Sequence, residues 1–288
     1  MATGRTVAIL SPGEMGTAFG RALQAGGHRV VTSLEGRSDV TRRRCEAAGF
    51  EVRASLDDIA REAELIVAIV PSLSALPLAR RAGESIARSG SRPMYLDANS
   101  IGPHTARAIG AAIETAGGIF VDGSIIGAAS ELRERATVYL SGEHAADVAE
   151  ILEPALETAV LGDEVGQASA FKVLYAGLTK GLSAIGIELL SGAAKLGLRE
   201  PLLEKYRTSQ PGIYRFFEHT LPGLPPRAAR RSEEMVELSD TLEPLGLSAN
   251  MAHGAEATLA RLAERYRTRG GPEAETLEAL VDWLAARD

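Results

Sequence analysis

Hydrophobic positions follow two different periods along the first part of the chain. Short apolar runs, typical of buried strands, alternate with longer segments whose apolar residues recur three and four positions apart, as on one face of a helix. The runs predict strands over residues 6–10, 29–33, 50–53, 65–70, 94–97, 119–122, 137–141 and 158–161. The longer segments predict helices over residues 15–25, 40–48, 56–62, 74–88, 103–116 and 145–156. Because strand and helix alternate, we expect βαβ units and a mostly parallel sheet covered on both faces.

The pattern changes at about Gly166, after which only helical periodicity remains. The first helix of this part, residues 167–196, contains no proline and is the longest in the chain. Its small residues Gly177 and Gly181 lie four apart and allow another helix to pack closely. We therefore predict an α/β fold with a Rossmann-type domain over residues 1–165. An all-α domain over residues 166–288 follows, joined to the first by the long helix.

Composition narrows the classes of protein that fit this pattern. With 288 residues, 45% of them hydrophobic, the chain is long enough for one large domain or two ordinary ones. The net charge of −7 gives no support to nucleic-acid binding. Cys45 is the single cysteine and the five histidines lie far apart, so we predict neither a disulfide nor a metal site. We find no apolar stretch long enough to span a bilayer and no signal segment, and expect a cytoplasmic protein without a membrane partner.

The first predicted strand leads into a helix through the turn Ser11-Pro12-Gly13-Glu14-Met15-Gly16. Glycine lets the backbone approach a ligand, and the N–H groups of a helix N-terminus favour an anion, so this layout is typical of a dinucleotide pyrophosphate site. Ser11 stands where the first glycine of the G-x-G-x-x-G fingerprint is expected. The alternative is that the glycines only turn the chain tightly. A second apolar strand follows at the spacing of a βαβ unit and favours the nucleotide site.

Five segments, in a fixed order, resemble the motifs of one enzyme superfamily. They are Pro12-Gly13-Glu14-Met15-Gly16, Ile69-Val70-Pro71-Ser72, Asp97-Ala98-Asn99-Ser100-Ile101-Gly102-Pro103, Asp122-Gly123-Ser124-Ile125-Ile126-Gly127 and Gly166-Gln167-Ala168-Ser169-Ala170-Phe171-Lys172. The first segment is similar to the family motif G-L-G-x-M-G, and the second to the residues that end the family's fourth strand. The third is similar to D-x-S-T-I-S-P and the fourth to the substrate loop D-A-P-V-S-G. The fifth is similar to the start of the helix that bears the family's catalytic lysine. The chain thus resembles the β-hydroxyacid dehydrogenase superfamily of 6-phosphogluconate and 3-hydroxyisobutyrate dehydrogenases. Within it, the chain resembles the poorly characterised branch with a DUF1932-type C-terminal domain.

The resemblance implies that Lys172 is catalytic. In such an enzyme the lysine exchanges a proton with the substrate hydroxyl while hydride moves to or from the nicotinamide. The role is physically reasonable, because a lysine that loses hydration has a lowered pKa and can act as acid or base near neutrality. A solvated lysine on a long helix is the alternative reading.

The resemblance also implies where the substrate binds. The family asparagine that follows the lysine by one helical turn is Ala176 here, so recognition of the substrate must differ. Thr179 and Lys180 lie one turn further on and are candidates to replace the lost polarity, although Lys180 also fits a surface charge. The predicted substrate-binding residues are Asn99, Gly123, Ser124, Tyr175 and Thr179.

The residues after the second strand distinguish NAD from NADP. NAD enzymes commonly place a carboxylate there for the ribose hydroxyls, whereas NADP enzymes offer arginine and hydroxyl groups to the 2′-phosphate. Leu34 occupies the usual acidic position, and Arg37 with Ser38 suits a phosphate, although Glu35 would repel it. We predict NADP, with NAD as the alternative. The predicted cofactor-binding residues are Ser11, Pro12, Gly13, Glu14, Met15, Gly16, Ser33, Arg37, Ser38, Val70, Pro71 and Asn99.

We therefore expect an oxidoreductase that transfers a hydride between NAD(P) and a small β-hydroxy acid or a related hydroxy or oxo compound. A homodimer is expected, because a long helix and the short helices after it are too few to bury their apolar faces alone. Two alternatives stay open. An imine reductase-like NADPH enzyme fits the missing asparagine, and a non-catalytic NADP-binding sensor fits Ser11 and the altered substrate loop.

Overall fold

The computed structural model describes residues 4–272 and 275–286, which lie in two compact units. The first unit is Met1–Lys172 and the second is Val173–Asp288. The division falls inside a long helix, beyond the predicted domain boundary after residue 165. The first turn of that helix stays with the first unit because its backbone is hydrogen-bonded to two strands there.

The first unit has the predicted α/β class. Its strands are β1 (Thr6–Leu10), β2 (Arg29–Ser33), β3 (Glu51–Arg53), β4 (Leu65–Ala68), β5 (Met94–Asp97), β6 (Ile119–Ile126), β7 (Thr137–Ser141) and β8 (Glu157–Gly162). Its helices are α1 (Glu14–Ala25), α2 (Asp39–Ala48), α3 (Leu56–Glu62), α4 (Ser72–Ser89), α5 (Pro103–Thr115) and α6 (Ala145–Leu152). The sheet order is β3-β2-β1-β4-β5-β6-β7-β8, and every pair is parallel except β6 with β7. This order reverses between β1 and β4, where a doubly wound sheet opens a crevice at the carboxyl ends of its strands.

Alternate residues of each strand point to opposite faces of the sheet and build two separate cores. Val7 and Ile9 of β1 pack on one face, together with residues of α1, α2 and α6 such as Phe19, Leu23, Cys45, Val148 and Leu152. Ala8 and Leu10 pack on the other face, together with residues of α3, α4 and α5 such as Ile59, Leu78, Ile86, Ile109 and Ile113. The inner strands are buried on both sides, which is why they read in the sequence as continuous apolar runs.

One predicted strand is longer than its sequence pattern indicates. The strand expected to end at Asp122 continues to Ile126, because β6 pairs antiparallel with β7 from Asp122 opposite Ser141 to Ile126 opposite Thr137. Aspartate and glycine are depleted in strands, so the sequence alone favoured a loop after Asp122. The expectation of a substrate loop here is therefore wrong: Gly123 and Ser124 lie in a strand.

The second unit is all-α in the part of the chain that the structure describes. Its helices are the remainder of α7 (Gln167–Lys195), then α8 (Arg199–Ser209), α9 (Pro211–Thr220), α10 (Ala228–Leu242), α11 (Asn250–Arg269) and α12 (Leu277–Ala285). Its core contains Leu190, Phe217, Leu221, Leu259 and Leu280. A Cβ added to Gly177 would lie 2.7 Å from Leu238 of α10, so this glycine allows the predicted close approach. A Cβ on Gly181 would meet no atom within 4 Å, so the prediction for that glycine finds no partner helix within the described residues.

Helix α7 is long and apolar enough to cross a membrane by length and composition, so the expectation that no such stretch exists is wrong. Its most apolar window has a mean hydropathy of 1.4, and 39% of that window is buried. Gly177 and Gly186 place this helix against Leu238 and Phe217 of the second unit. A long helix packed in a protein core meets the same criterion, which makes the hydropathy weak support for a membrane span.

Candidate functional site

The predicted cofactor residues gather at one edge of the sheet. They follow the carboxyl ends of β1, β2, β4 and β5, which are neighbours in the sheet around the point where its order reverses. This edge is where open α/β sheets bind their ligands.

The turn between β1 and α1 has a strained backbone at the first fingerprint position. Ser11 has φ of 68°, and it is the one non-glycine residue with a positive φ among residues 4–272 and 275–286. The left-handed conformation costs an L-residue roughly 1–2 kcal/mol, and glycine avoids that cost. A Cβ on Gly16 would lie 2.8 Å from the Ser11 carbonyl oxygen, so a side chain cannot fit there without a shift of the turn. The backbone therefore keeps the geometry of the glycine fingerprint although serine replaces its first member.

Gly13 leaves the start of α1 open to a ligand. It is the N-cap residue and provides no side-chain hydrogen bond to the helix, and a Cβ at this position would meet no atom within 4 Å. The turn is fixed by Gly13 N–H, which donates to Ser11 O at 2.7 Å, and by Thr17 Oγ1, which donates to Pro12 O at 3.0 Å. An uncapped helix N-terminus beside open space suits an anion such as a pyrophosphate.

Two arginines lie at the carboxyl ends of β1 and β2. A small cavity there is lined by Leu10, Ser11, Ser33, Glu35, Arg37, Leu56, Leu78 and Arg81. Arg37 Nε is buried and has no hydrogen-bond partner among the described residues. Burial, together with the charge of Arg81, lowers the pKa of the Arg37 guanidinium. Glu35 pairs with Arg81 of α4, with 3.5 Å between Oε2 and Nη2, and the structure shows no such pair with Arg37.

The other polar residues after β2 organise the loop itself. Ser38 caps α2, since its hydroxyl oxygen accepts Thr41 N–H at 3.4 Å. Arg42 donates from Nη2 to Leu34 O at 3.0 Å and from Nε to Arg37 O at 3.3 Å. The first arginine of the basic run therefore holds the loop that presents Arg37.

A buried hydrogen-bond chain joins the ends of β4 and β5. Asn99 Oδ1 accepts Val70 N–H at 2.5 Å, while Asn99 Nδ2 donates to Asp97 Oδ2 at 2.8 Å. The backbone N–H of Asn99 donates to Asp97 Oδ1 at 3.1 Å. Asn99 is only 2% exposed, so its amide positions the backbone of Val70 and Pro71. Its predicted contact with substrate and cofactor stays a prediction.

The pKa of the Asp97 carboxyl group is far above its ordinary value. Burial raises the pKa of Asp97 to about 7, and the carboxylate of Asp122 contributes to this increase. The hydrogen bonds from Asn99 and the charge of Lys172 act in the opposite direction and lower the pKa. Of these influences on the Asp97 carboxyl group, the charge of Lys172 is the weakest.

Asp122 holds the start of the lysine-bearing helix. Its Oδ2 accepts Gly166 N–H, Ser169 N–H and Ser141 Oγ–H, each at 3.0 Å, and its Oδ1 accepts Ser169 Oγ–H at 2.5 Å. A carboxylate at a helix N-terminus satisfies N–H groups that have no partner in the helix and favours the positive end of the helix dipole. Burial raises the pKa of Asp122, and these hydrogen bonds lower it. The fold thus anchors the first turn of α7 to β6 and β7.

Gly123 and Ser124 contribute contacts within the first unit. Ser124 Oγ donates to Ala168 O at 2.6 Å, which ties β6 to the first turn of α7. A Cβ on Gly123 would lie 2.5 Å from Leu96 Cδ1 and 3.0 Å from the Asp97 carbonyl oxygen, so a side chain here would require these neighbours to shift. Their predicted part in substrate binding stays untested beside these structural contacts.

Three predicted site residues lie on α7. Lys172 is half-buried and ends the first unit, and it follows Ser169 by three residues, which places both on one helix face. Tyr175 and Thr179 belong to the second unit; Tyr175 is 55% exposed, and Thr179 Oγ1 donates to Ala176 O at 3.0 Å. Tyr175 and Thr179 follow Lys172 at helical spacings of three and seven residues and remain predictions for the substrate site.

Lys180 has a structural partner. Its Nζ lies 2.7 Å from Glu234 Oε2, and the two side chains are 15% and 9% exposed. Arg230 Nε is 3.6 Å from the other Glu234 oxygen. Loss of the lysine would leave a largely buried carboxylate short of positive charge.

The sequence did not single out Asp97, Asp122 or Arg81. The sequence does contain a feature that indicates the two aspartates: each follows an apolar run, and a buried carboxyl group needs hydrogen-bond partners. Arg81 had none, since it lies among other exposed charges on the polar face of α4.

Two parts of the chain match known protein families. Residues 6–162 match the NAD binding domain of 6-phosphogluconate dehydrogenase. Residues 193–262 match a domain of unknown function, DUF1932. The first match contains the β1–α1 turn, both buried aspartates and all eight strands of the sheet.

Individual proteins resemble the chain over different lengths. An uncharacterised 28.5 kDa protein encoded in the 7S RNA 5′ region of Methanothermus fervidus is 30% identical over 175 residues, which span 61% of this chain and 66% of that protein. The solved structure of conserved protein MTH1747, described as similar to 3-hydroxyacid dehydrogenases, is 32% identical, with a TM-score of 0.70 over 92% of this chain and 99% of its own. The 3-hydroxyisobutyrate dehydrogenase of Mycobacterium tuberculosis shares the fold, with a TM-score of 0.71 at 21% identity over 99% of this chain and 100% of its own.

The family match over the first unit thus includes the turn between β1 and α1. Since the family match covers more than half of the chain, this protein belongs to the β-hydroxyacid dehydrogenase superfamily, with the NAD-binding domain of the 6-phosphogluconate dehydrogenases and a DUF1932 domain after it.

Proposed function

We propose that the protein is an NAD(P)-dependent oxidoreductase that transfers a hydride between the nicotinamide and a small β-hydroxy acid or a related hydroxy or oxo compound. The position of Lys172 carries the proposal. The hydrogen bonds of Asp122 anchor its helix turn to the sheet, and its charge acts on Asp97 at the end of β5. These two observations support a lysine that acts close to the carboxyl ends of the strands, where the Gly13 turn follows β1.

The residues at this edge fit a nicotinamide dinucleotide. The open space at Gly13 and the uncapped start of α1 suit the pyrophosphate, and the unpartnered Arg37 Nε suits an anionic group at the adenosine end. The bound cofactor would accept or supply the hydride. We propose NADP as the preferred form, with NAD as the alternative.

Lys172 is the proton partner in this proposal. In oxidation, hydride leaves the hydroxyl-bearing carbon, the carbonyl forms, and the hydroxyl proton passes to neutral Lys172 Nζ. In reduction, the ammonium returns that proton to the developing alkoxide and stabilises its charge beforehand. A positioned proton partner contributes typically about 10² to 10⁴ in rate.

Substrate recognition is proposed to differ from that of the family enzymes that carry an asparagine after the lysine. Ala176 is buried and offers no polar group at that position. Asn99, Gly123 and Ser124 of the first unit are proposed to bind the substrate. Tyr175 and Thr179 of α7 are proposed for the same role.

The decisive experiment combines cofactor titration with a panel of β-hydroxy acids, their semialdehydes and cyclic imines. Once the panel identifies a substrate, Lys172→Ala should lower kcat by about 10²- to 10⁴-fold and leave the affinity for NADPH unchanged. Lys195→Ala is the matched control, because it removes the same charge from the exposed end of α7. Lys180→Ala is unsuitable as a control, since it would leave Glu234 without its nearest cation.

The same panel separates the alternatives. Near-normal turnover in Lys172→Ala would contradict the proposed proton transfer. Turnover of cyclic imines alone would favour an imine reductase-like enzyme, the candidate that the missing amide at Ala176 supports. Tight cofactor binding without any turnover would favour a non-catalytic NADP sensor.

A homodimer is proposed for the assembly. Leu174, Leu178, Ile185 and Leu189 of α7, and Leu196 directly after it, are between 42% and 75% exposed. These positions recur at helical spacing, so they form an apolar stripe along the helix. A second copy of the chain is the proposed cover, because a stripe on one long helix can pack against its own symmetry mate.

A further inference from the structure

The cavity at the carboxyl ends of β1 and β2 contains more positive charge than the structure neutralises. Arg37 and Arg81 both line it, and the charge of Arg81 disfavours the protonated form of Arg37. Glu35 pairs with Arg81, while Arg37 Nε is buried without a hydrogen-bond partner among the described residues. Two guanidinium groups, one carboxylate and the buried hydroxyl-bearing Ser33 therefore line a cavity of about 10 Å³. A phosphate needs more room than this, so the exposed side chains of Glu35 and Arg81 must separate to admit one.

The pair between Glu35 and Arg81 is weak enough to exchange partners. Its closest atoms are 3.5 Å apart, and the side chains of Arg81 and Glu35 are 56% and 59% exposed. Exposed ion pairs of this kind contribute little, because water screens both charges and the side chains lose freedom. A phosphate dianion offers arginine a bidentate, charge-assisted contact, which is considerably stronger than a distant monodentate pair.

We propose that Arg81 is a second anchor for the 2′-phosphate of NADP, and that Glu35 occupies this anchor when the phosphate is absent. The inference rests on the proposed function, since it requires a nicotinamide cofactor at this edge of the sheet. Arg37 from the loop after β2 and Arg81 from α4 approach the phosphate from two different elements. Glu35 then sets the preference between the cofactors: it competes with the 2′-phosphate for Arg81 and does not compete with a free 2′-hydroxyl.

Direct binding measurements test this without any turnover. Calorimetry with 2′,5′-ADP and 5′-AMP isolates the 2′-phosphate from the nicotinamide, and NADP⁺ and NAD⁺ extend the test to the whole cofactor. Arg81→Ala should weaken 2′,5′-ADP and NADP⁺ by roughly tenfold to a hundredfold and change 5′-AMP and NAD⁺ by less than about twofold. Glu35→Gln should tighten 2′,5′-ADP and NADP⁺ severalfold, because the competing carboxylate is gone.

Arg80→Ala is the matched control. Arg80 precedes Arg81 on α4, is exposed and does not line the cavity, so its loss makes the same change in net charge away from the site. It should change neither nucleotide by more than about twofold. Arg81→Lys retains the charge without the bidentate fork and should fall between wild type and Arg81→Ala.

Each outcome decides between named alternatives. Equal weakening of 2′,5′-ADP and 5′-AMP by Arg81→Ala would overturn the inference and assign Arg81 to stacking on the adenine. Weaker binding of NAD⁺ in Glu35→Gln would overturn it as well, because the carboxylate would then hold the ribose hydroxyls. A wild-type protein that binds neither dinucleotide would overturn the proposed function itself. An Arg81→Ala variant that binds 2′,5′-ADP and NADP⁺ as tightly as the wild type does would overturn only the role of Arg81.

Discussion

Asp97 and Asp122 are Cα partners on the neighbouring parallel strands β5 and β6, and both side chains are fully buried. The two carboxyl groups differ in what they bind. Asp122 accepts four hydrogen bonds, two of them from the backbone of the segment that begins α7, whereas Asp97 accepts two from Asn99. Asp97 is accordingly the group whose proton is held to about neutral pH, because its pKa is raised to about 7.

Folding stability should fall as the pH rises from about 4 to about 7. The folded protein holds the proton of Asp97 more tightly than the unfolded chain does, since burial raises the pKa from 3.8 to about 7. This stabilisation is complete below the unfolded value and is lost through the folded one, at up to about 1.4 kcal/mol per pH unit. Urea unfolding across this range measures the slope, and Asp97→Asn should flatten it.

The carboxyl groups of Glu51 and Asp57 act in a different pH window. Arginine partners lower the pKa of Glu51 and of Asp57 to about 2, so their contributions are lost only on acidification below about pH 4.5. A slope between pH 4 and 7 that is the same in wild type and Asp97→Asn would contradict the assignment. The absolute stability of the variant is not the readout, because asparagine also loses one hydrogen bond to Asn99.

Ser11→Gly should stabilise the folded protein by about 1 kcal/mol. The φ of 68° at Ser11 is accessible to glycine without the steric cost of a Cβ, although glycine also gains freedom in the unfolded chain. Thermal or urea unfolding measures the change. Ser11→Ala provides the comparison, since it keeps the Cβ and should show no gain.

Gly13 and Gly16 should respond differently to substitution. Gly13→Val should abolish binding of the nicotinamide cofactor and leave the melting temperature within a few degrees of wild type, because a side chain there meets only open space. Gly16→Ala should lower stability by roughly 1–3 kcal/mol, because its Cβ would lie 2.8 Å from the Ser11 carbonyl oxygen. Cofactor fluorescence titration and thermal unfolding of both variants separate the two effects. Unchanged cofactor affinity in folded Gly13→Val would remove the pyrophosphate assignment.

The proposed dimer should dissociate when its apolar stripe is charged. Leu178 is 68% exposed, so Leu178→Glu should leave the core of each chain intact while weakening the self-association of α7. Sedimentation velocity at micromolar concentration should show a dimer for wild type and a monomer for the variant. Leu245→Glu is the control, because Leu245 is 69% exposed and lies outside α7. A wild-type monomer at that concentration would contradict the assembly.

Periodicity predicted the inner strands within about two residues, because β1, β4 and β5 are buried on both faces and their apolar runs end where burial ends. It failed at β6, whose last residues are held in a strand by pairing with β7 rather than by their own preference. The all-helical second unit was also predicted correctly in class. Pairing partners lie far away in sequence and leave no periodic trace.

The same limit applies to the site. The motif spacing predicted that Asn99 and the Gly13 turn bind the cofactor, which stays a prediction; the structure shows that both follow the carboxyl ends of strands in the same sheet. It could not predict that Asn99 joins Asp97 to Val70, since that chain depends on the register of β4 and β5. The pairing of Glu35 with Arg81 likewise depends on where α4 packs, so the sequence left Glu35 as an unexplained negative charge near the phosphate.

The anchoring of α7 by Asp122 has a consequence for exchanging the second unit between related proteins. Lys172 is the last residue of the first unit, and the hydrogen bonds that fix its turn come from β6 and β7. The proposed proton partner thus belongs to the same unit as the nucleotide fold. A chimera joined between Lys172 and Val173, with the later residues taken from a homologue, should therefore keep the anchored first turn of α7.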